Sequence, residues 1–229
     1  MQLTVKDVAQ LLEVSENTVY RWLTDGDLPA SKVNENYRVN SVELLEWAAA
    51  QGIELSPRFL RHFEPRQAPE ISAALETGGV HTGEAGDDKR AVLEALARLP
   101  IPTGLDRRMV TDIILAREEA GTTAIGGGIA IPHVRMPIVV RAPHPAIALC
   151  FLEKPVDWHA PDGKPVDTLF VILSTSVRVH LYLLSKLAYI LHDRNFRDAL
   201  AKKGPAAELI AAAHAAERPL LTESGEVRP

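Results

Sequence analysis

One histidine leaves a glycine-rich loop behind a proline in the run Gly126-Gly127-Gly128-Ile129-Ala130-Ile131-Pro132-His133-Val134-Arg135. These residue types suit an imidazole that has to meet an anion. Pro132 fixes its own φ and biases Ile131 toward extended backbone, so the chain enters His133 with little freedom left. Gly126, Gly127 and Gly128 tolerate positive φ and close approach, which lets successive backbone N–H groups turn toward a bound oxyanion. The chemistry this fits is phosphoryl acceptance. A neutral imidazole keeps a lone pair on one ring nitrogen while the other donates to a fixed acceptor, and a nitrogen–phosphorus bond is labile enough to pass the group onward. Such a ring has to remain open to solvent and close to its helpers. A glycine-rich turn leading into a buried strand uses the same residues and does no chemistry.

Two further residues have the right character to help. In a helix expected over Asp106 to Ala120, Val110, Ile114 and Arg117 share one face, so Arg117 extends an apolar stripe to the point where the chain turns toward the glycine loop. A guanidinium there holds two phosphoryl oxygens at once; the alternative is a cation that stabilises the helix C-terminus before Gly121. His180 falls in the first turns of a helix capped by Ser174, Thr175 or Ser176, where unpaired amides attract anions. Its place beside Leu181, Leu184, Ala188 and Leu191 also fits a satisfied core histidine. Arg178, in the same first turn, opposes the helix dipole unless an anion offsets it, and joins the phosphoryl-binding candidates with the three glycines. His62, His81, His144, His159, His192 and His214 lack the paired spacing of a metal site. The reading needs neither a metal nor a cofactor, and Asp167 is expected to make a structural hydrogen bond.

The run Arg117-Glu118-Glu119-Ala120-Gly121-Thr122-Thr123-Ala124-Ile125 leading into GGGIAIPHVR resembles the active-site segment of enzyme IIA components of the bacterial phosphoenolpyruvate-dependent phosphotransferase system, in the mannitol/fructose/nitrogen branch. Pro165 to Leu173 and His180 to Ala188 resemble that family's late strand and second active-site histidine, so the resemblance covers about residues 78 to 217. It implies a three-layer α/β sandwich with a mixed sheet, His133 as phosphoryl acceptor, and Arg117 and His180 as its active-site companions. It also implies a phosphohistidine phosphotransferase or carrier rather than an enzyme turning over a small molecule, with a small phosphorylated histidine carrier as donor. Val134-Arg135 departs from the Gly-Lys or similar pair often found after this histidine in the nitrogen branch, which bears on partner choice.

The elements that must position these side chains follow from pattern and length. A chain of 229 residues, 46% hydrophobic, can bury one medium core and a small one. It has no apolar run approaching about 18 residues and no signal pattern, which leads to the expectation of a soluble, cytoplasmic protein. The single Cys150, inside an apolar run, reads as a small buried hydrophobe. Helices are expected near Asp88 to Leu99, Asp106 to Ala120, Val177 to His192, Asn195 to Lys202 and Ala206 to Glu217. Strands are expected near Val80, Ile129 to Ile131, Ala146 to Leu152 and Thr168 to Leu173. That alternation packs naturally as three layers. The expected domains are 1–54, a connector at 55–77 containing Phe59, Leu60 and Phe63, the phosphoacceptor domain at 78–218, and a disordered tail at 219–229.

The first unit reads as a winged helix-turn-helix. Thr4 and Ser15 are caps for two short helices, Gly26 stops the second, an Asn-Glu-Asn turn makes a hairpin wing, and Ser41 caps a third helix. The pattern resembles the excisionase-like, MerR-related winged helix domains that bind DNA. The resemblance implies Glu16, Asn17, Thr18 and Arg21 in the major groove and Lys32, Asn34, Asn36, Tyr37 and Arg38 in the wing. Residues 1–55 nevertheless carry four cations against nine acids, net −5, and affinity for a polyanion comes mostly from cations. Three accounts therefore stand. The chain is a regulatory phosphocarrier joined to a DNA-binding module, a sugar-uptake component that hands phosphate to a transporter subunit, or a phosphorylation-switched scaffold whose first domain binds a regulatory target protein. None inserts into a membrane, and oligomeric state is left open.

Overall fold

The structure is a computed structural model that describes residues 2–51, 53, 59, 64–65, 69–96, 99, 107–133 and 144–223. Val134-Arg135, His62, Leu60 and Phe63 lie outside the described residues.

The N-terminal unit begins with β1 (Gln2–Leu3) and α1 (Val5–Leu11), whose start is fixed by a reciprocal capping box between Thr4 and Asp7. Ser15 caps α2 (Glu16–Asp25), and Gly26 ends it in the left-handed region at φ 80°. The wing is the hairpin of β2 (Ser31–Val33) and β3 (Asn36–Asn40), with β1 paired to the other edge of β3. Asn40, one residue earlier than expected, caps α3 (Ser41–Ala50) by accepting from Val42 N–H at 2.9 Å. Ser41 itself is buried as the first helical residue.

The large unit contains α4 (Ile71–Gly78), β4 (Val80–Glu84), α5 (Lys89–Leu96), α6 (Arg107–Glu119), β5 (Ala124–Gly126) and β6 (Ile129–Ala130). Then come β7 (Ala146–Val156), β8 (Val166–Leu173), α7 (Val177–Ile190), α8 (Arg194–Lys202) and α9 (Ala206–Glu223). The sheet order is β4-β7-β8-β6-β5, with β4 parallel to β7, β6 parallel to β8 and the other two pairings antiparallel. This is the expected mixed sheet. The short β5 was not anticipated, and α9 runs to Glu223, into the stretch expected to be tail.

Strand alternation divides the core between the two faces of the sheet. Ile147, Leu149, Phe151, Phe170 and Ile172 face the layer of α7, Phe196, Leu200, Leu209 and Ala213. Ala148, Cys150, Leu152, Leu169 and Val171 face Val92, Leu93, Leu96 and Ile114 of α5 and α6. Burial holds the Cys150 thiol protonated, well above its ordinary range. Gly78 lets α4 lie directly on β7, since a Cβ there would sit 2.2 Å from the Ile147 carbonyl oxygen. Beneath the same layer, Glu217 accepts from Ile71 N–H at 2.8 Å and Ser72 N–H at 3.1 Å, capping α4, and pairs with buried Lys186 at 2.9 Å.

The two units share one core. Leu44, Leu45, Trp47 and Ala48 of α3 are continuous with the apolar residues of α7 and with fully buried Phe59 of the connector. Helix α3 lies against both α7 and β5.

Candidate functional site

His133 follows β6 and pairs as a parallel bridge with Ile172 at the end of β8; the Ile172 N–H donates to the Pro132 carbonyl at 3.3 Å. Helix α7 starts four residues after β8 ends, so His133 and His180 meet where parallel strands finish, a usual place for ligand sites in α/β sheets. Their rings lie 4.9 Å apart by centroid. Arg117, in the last turn of α6, reaches the same spot and is anchored by a 2.9 Å bond from Nη1 to the Gly121 carbonyl. The structure thus gathers the three predicted catalytic residues.

An acid completes the cluster. Glu46, from α3 of the N-terminal unit, places Oε1 2.7 Å from His133 Nε2 and Oε2 2.5 Å from Arg117 Nη2. The other ring nitrogen of His133 is 2.7 Å from the Ile131 carbonyl. Each nitrogen therefore faces an oxygen able to accept, a backbone carbonyl on one side and the Glu46 carboxylate on the other. Only 1% of His133 is exposed, which departs from the open ring that the sequence led us to expect. From the N-terminal unit, Glu46 and Ala49 of α3 line the small cavity beside the ring, together with Arg117, Ile131 and Leu184 of the large unit.

Glu46 does not satisfy the site fully. Both nitrogens of His180 and Nε of Arg117 are buried with no hydrogen-bond partner among the described residues. Burial first, and the neighbouring His133 second, push His180 down to about 3, so its ring is neutral. The gap beside Glu46, Arg117, Thr123, Ile131, His133 and Leu184 measures about 30 Å³, room for little more than a water.

The loop before β5 is held by residues the sequence reading passed over. Buried Glu118 accepts from the Thr123 N–H at 3.1 Å and the Thr123 hydroxyl at 2.5 Å, and pairs with Lys89 at 3.2 Å. Its place one residue after Arg117, five residues before the Thr123 it holds, was the available signal.

The predicted phosphoryl-binding glycines lie elsewhere. Gly126, Gly127 and Gly128, with φ of 86°, 63° and 79°, make the tight turn of the β5-β6 hairpin. The Thr123-to-Ile131 hydrogen bond closes the other end of that hairpin, and His133 lies beyond it. Gly127 N–H donates to Asp162 at 2.8 Å and holds that carboxyl below its usual range. Positive φ was read correctly and its purpose was not: the glycines serve a turn. Arg178 is exposed on α7 and does not line the cavity, since the N-terminal end of the helix presents His180 inward and its neighbour two residues earlier outward. Asp167 accepts from the Thr168 hydroxyl and pairs with Lys203 at 2.7 Å, a structural role.

On the N-terminal unit, Asn17, Arg21 and Lys32 are exposed, while Thr18 and Arg38 are half-buried. Tyr20 and Tyr37 meet edge to face at 6.3 Å and join α2 to the wing, with Lys32 over the Tyr37 ring. His144, His159, His192 and His214 are exposed and His81 bonds the Gly78 carbonyl oxygen; no cluster able to hold a metal occurs among the described residues. None of the described helices is long and apolar enough to cross a membrane.

Comparison with known proteins agrees with this geometry. The Nitrogen regulatory protein of Pseudomonas aeruginosa is 38% identical over 130 residues, 55% of this chain and 81% of that protein. The crystal structure of Nitrogen Regulatory Protein IIA-Ntr from Neisseria meningitidis superposes with a TM-score of 0.55 at 30% identity, covering 62% of this chain and 98% of the other. A PTS IIA (PtxA) structure from Streptococcus mutans, at 20% identity, shares the fold with a TM-score of 0.56 over 67% of this chain and 99% of its own. Residues 3–52 match the family described as "Helix-turn-helix domain". Residues 74–214 match "Phosphoenolpyruvate-dependent sugar phosphotransferase system, EIIA 2", and with the histidines and arginine in place the chain belongs to that family, joined to an N-terminal helix-turn-helix domain.

Proposed function

We propose that the protein is a regulatory phosphocarrier in which His133 accepts a phosphoryl group from the phosphohistidine of a small carrier protein, and in which the helix-turn-helix domain is the output. One observation carries this reading: His133, Arg117 and a neutral His180 with no hydrogen-bond partner among the described residues gather around a point that already holds an anion. With Nδ1 donating to the Ile131 carbonyl, Nε2 is the nitrogen that attacks once it has lost its proton. Its lone pair forms the new nitrogen–phosphorus bond as the carrier's bond breaks, and that bond's electron pair returns to the carrier's ring. Arg117 and His180 supply donors to the oxygens during transfer. The nitrogen regulatory relatives support regulation over sugar uptake.

Incubation with the phosphorylated carrier is expected to give an acid-labile, base-stable label that disappears in His133→Ala. A label retained in that variant would remove the assignment. The acidic first domain favours a second output, binding of a regulatory protein instead of DNA.

A further inference from the structure

We infer that Glu46 is a built-in stand-in for the phosphoryl group, so that docking of the helix-turn-helix domain and phosphorylation of His133 exclude one another. The inference rests on the acceptor reading above and adds its control.

The two carboxylate oxygens of Glu46 bridge the two groups that must hold phosphoryl oxygens, at 2.7 Å from His133 Nε2 and 2.5 Å from Arg117 Nη2. A phosphorus bonded to Nε2 would lie within a covalent bond length of that nitrogen, with its oxygens in the space the carboxylate fills. About 30 Å³ is left beside it, too little for both anions. A phosphohistidine donor is blocked in the same way, because Glu46 of α3 occupies the position beside Nε2 that its phosphorus must reach. The docked state also blocks the chemistry: Nε2 donates to Glu46, so it has no lone pair with which to attack.

The exchange runs toward phosphate for a stated reason. A carboxylate has two oxygens and leaves both His180 nitrogens and Arg117 Nε without a partner among the described residues. A phosphoryl group has three and carries more charge, so it can reach donors that Glu46 cannot. Once α3 lifts, the Nε2 proton passes to the entering solvent and the freed lone pair takes phosphorus from the carrier, as written above. The phosphoryl dianion then repels Glu46 and keeps the helix away. Asn17, Arg21 and Lys32 are already exposed with α3 docked. The latch therefore sets how the first domain is held and whether the carrier can enter, and does not uncover the wing.

The full-length chain tests this through two readouts. The first is the rate of label transfer from the phosphorylated carrier to wild type, Glu46→Gln and Glu46→Ala. The second is the distance between spin labels on Asn17→Cys and Asp198→Cys, before and after phosphorylation of otherwise wild-type protein. Since transfer is slowed by the closed fraction, Glu46→Ala is expected to accept phosphate about tenfold faster or more, and phosphorylation is expected to lengthen and broaden the distance distribution. Normal labelling of His133 with unchanged rates and an unchanged distance would overturn the latch and leave the acceptor intact. Absence of label on His133 in every variant would remove the acceptor itself, and the latch with it. The distance readout needs no substitution at Glu46, so a variant that folds poorly does not protect the idea.

Discussion

The rings of His133 and His180 lie 4.9 Å apart, tilted by 36°, one hydrogen-bonded at both nitrogens and the other at neither. This asymmetry defines the resting site. Glu46 reaches His133 and Arg117 but not His180, whose ring nitrogens at the start of α7 have no hydrogen-bond partner among the described residues. Enclosure within the protein strengthens each of these contacts and makes each unpaired group expensive.

His180 is therefore expected to oppose stability and serve transfer. Replacing it by leucine removes two unsatisfied buried nitrogens, worth about 1–3 kcal/mol in favour of the fold at neutral pH. The same change should slow phosphoryl transfer on the order of 100-fold. Wild-type stability should also carry the residue's acid signature. The folded ring takes a proton only near pH 3, the unfolded one near the ordinary value of about 6.5. Between those limits the unfolded chain binds more protons, so stability falls as pH drops from about 6.5 toward 3, by at most about 1.4 kcal/mol per unit, and is untouched above. Denaturant curves at several pH values, with His180→Leu alongside, check this. Equal acid slopes in the two proteins would show that the ring is not buried neutral.

Arg117→Lys separates charge from geometry. The ammonium keeps the cation but loses the fork that meets the Gly121 carbonyl and an anion together. Transfer should fall roughly 10- to 100-fold while the melting temperature moves by only a few degrees, as for the loss of about one net hydrogen bond. Single-turnover labelling and thermal melts read the two effects independently.

Much of the fold was legible because it is written locally. Thr4, Ser15 and Gly26 marked the ends of two helices, and the apolar runs of β7 and β8 announced buried strands. His133, Arg117 and His180, which the structure brings together, were singled out by residue type, by helix position and by resemblance. Glu46 was not found, since nothing at position 46 distinguishes it from any acid on an amphipathic helix. Its meaning comes from α3 packing against α7 and β5, some 71 residues before Arg117 and 87 before His133 in the chain. The glycines misled for the opposite reason. Positive φ serves an anion nest and a tight hairpin equally well, and only the pairing of β5 with β6 separates the two.

Glu217 should prove to be the costliest surface-remote residue of the large domain. It is fully buried, caps α4 through two backbone amides and the Ser72 hydroxyl, and pairs with Lys186. Burial alone would lower the lysine, but Glu217 more than offsets it and the net shift is upward. Glu217→Ala strands that charge and the helix amides together, at about 3–5 kcal/mol. Lys186→Met with Glu217→Gln should recover part of the loss. Urea unfolding of Lys186→Met, Glu217→Gln and the two combined measures the coupling, and additive losses would mean that the pair does not act as a unit.

DNA binding as the output should be weak, with a smaller salt dependence than that of a strongly basic module. The face formed by α2 and the wing presents Arg21, Lys32 and Arg38, joined through Tyr20 and Tyr37, but exposed Glu16, Asp25, Asp27 and Glu35 lie on the same elements and turns. Three cations released against phosphates predict a slope of log affinity on log salt near −3, and Arg21→Ala or Lys32→Ala should each reduce it by about 1. Titration of labelled duplexes at several salt concentrations tests the count. Failure of every duplex to bind at low salt would make the acidic first domain a protein-binding module, and the search would turn to the partner that recognises it when α3 is released.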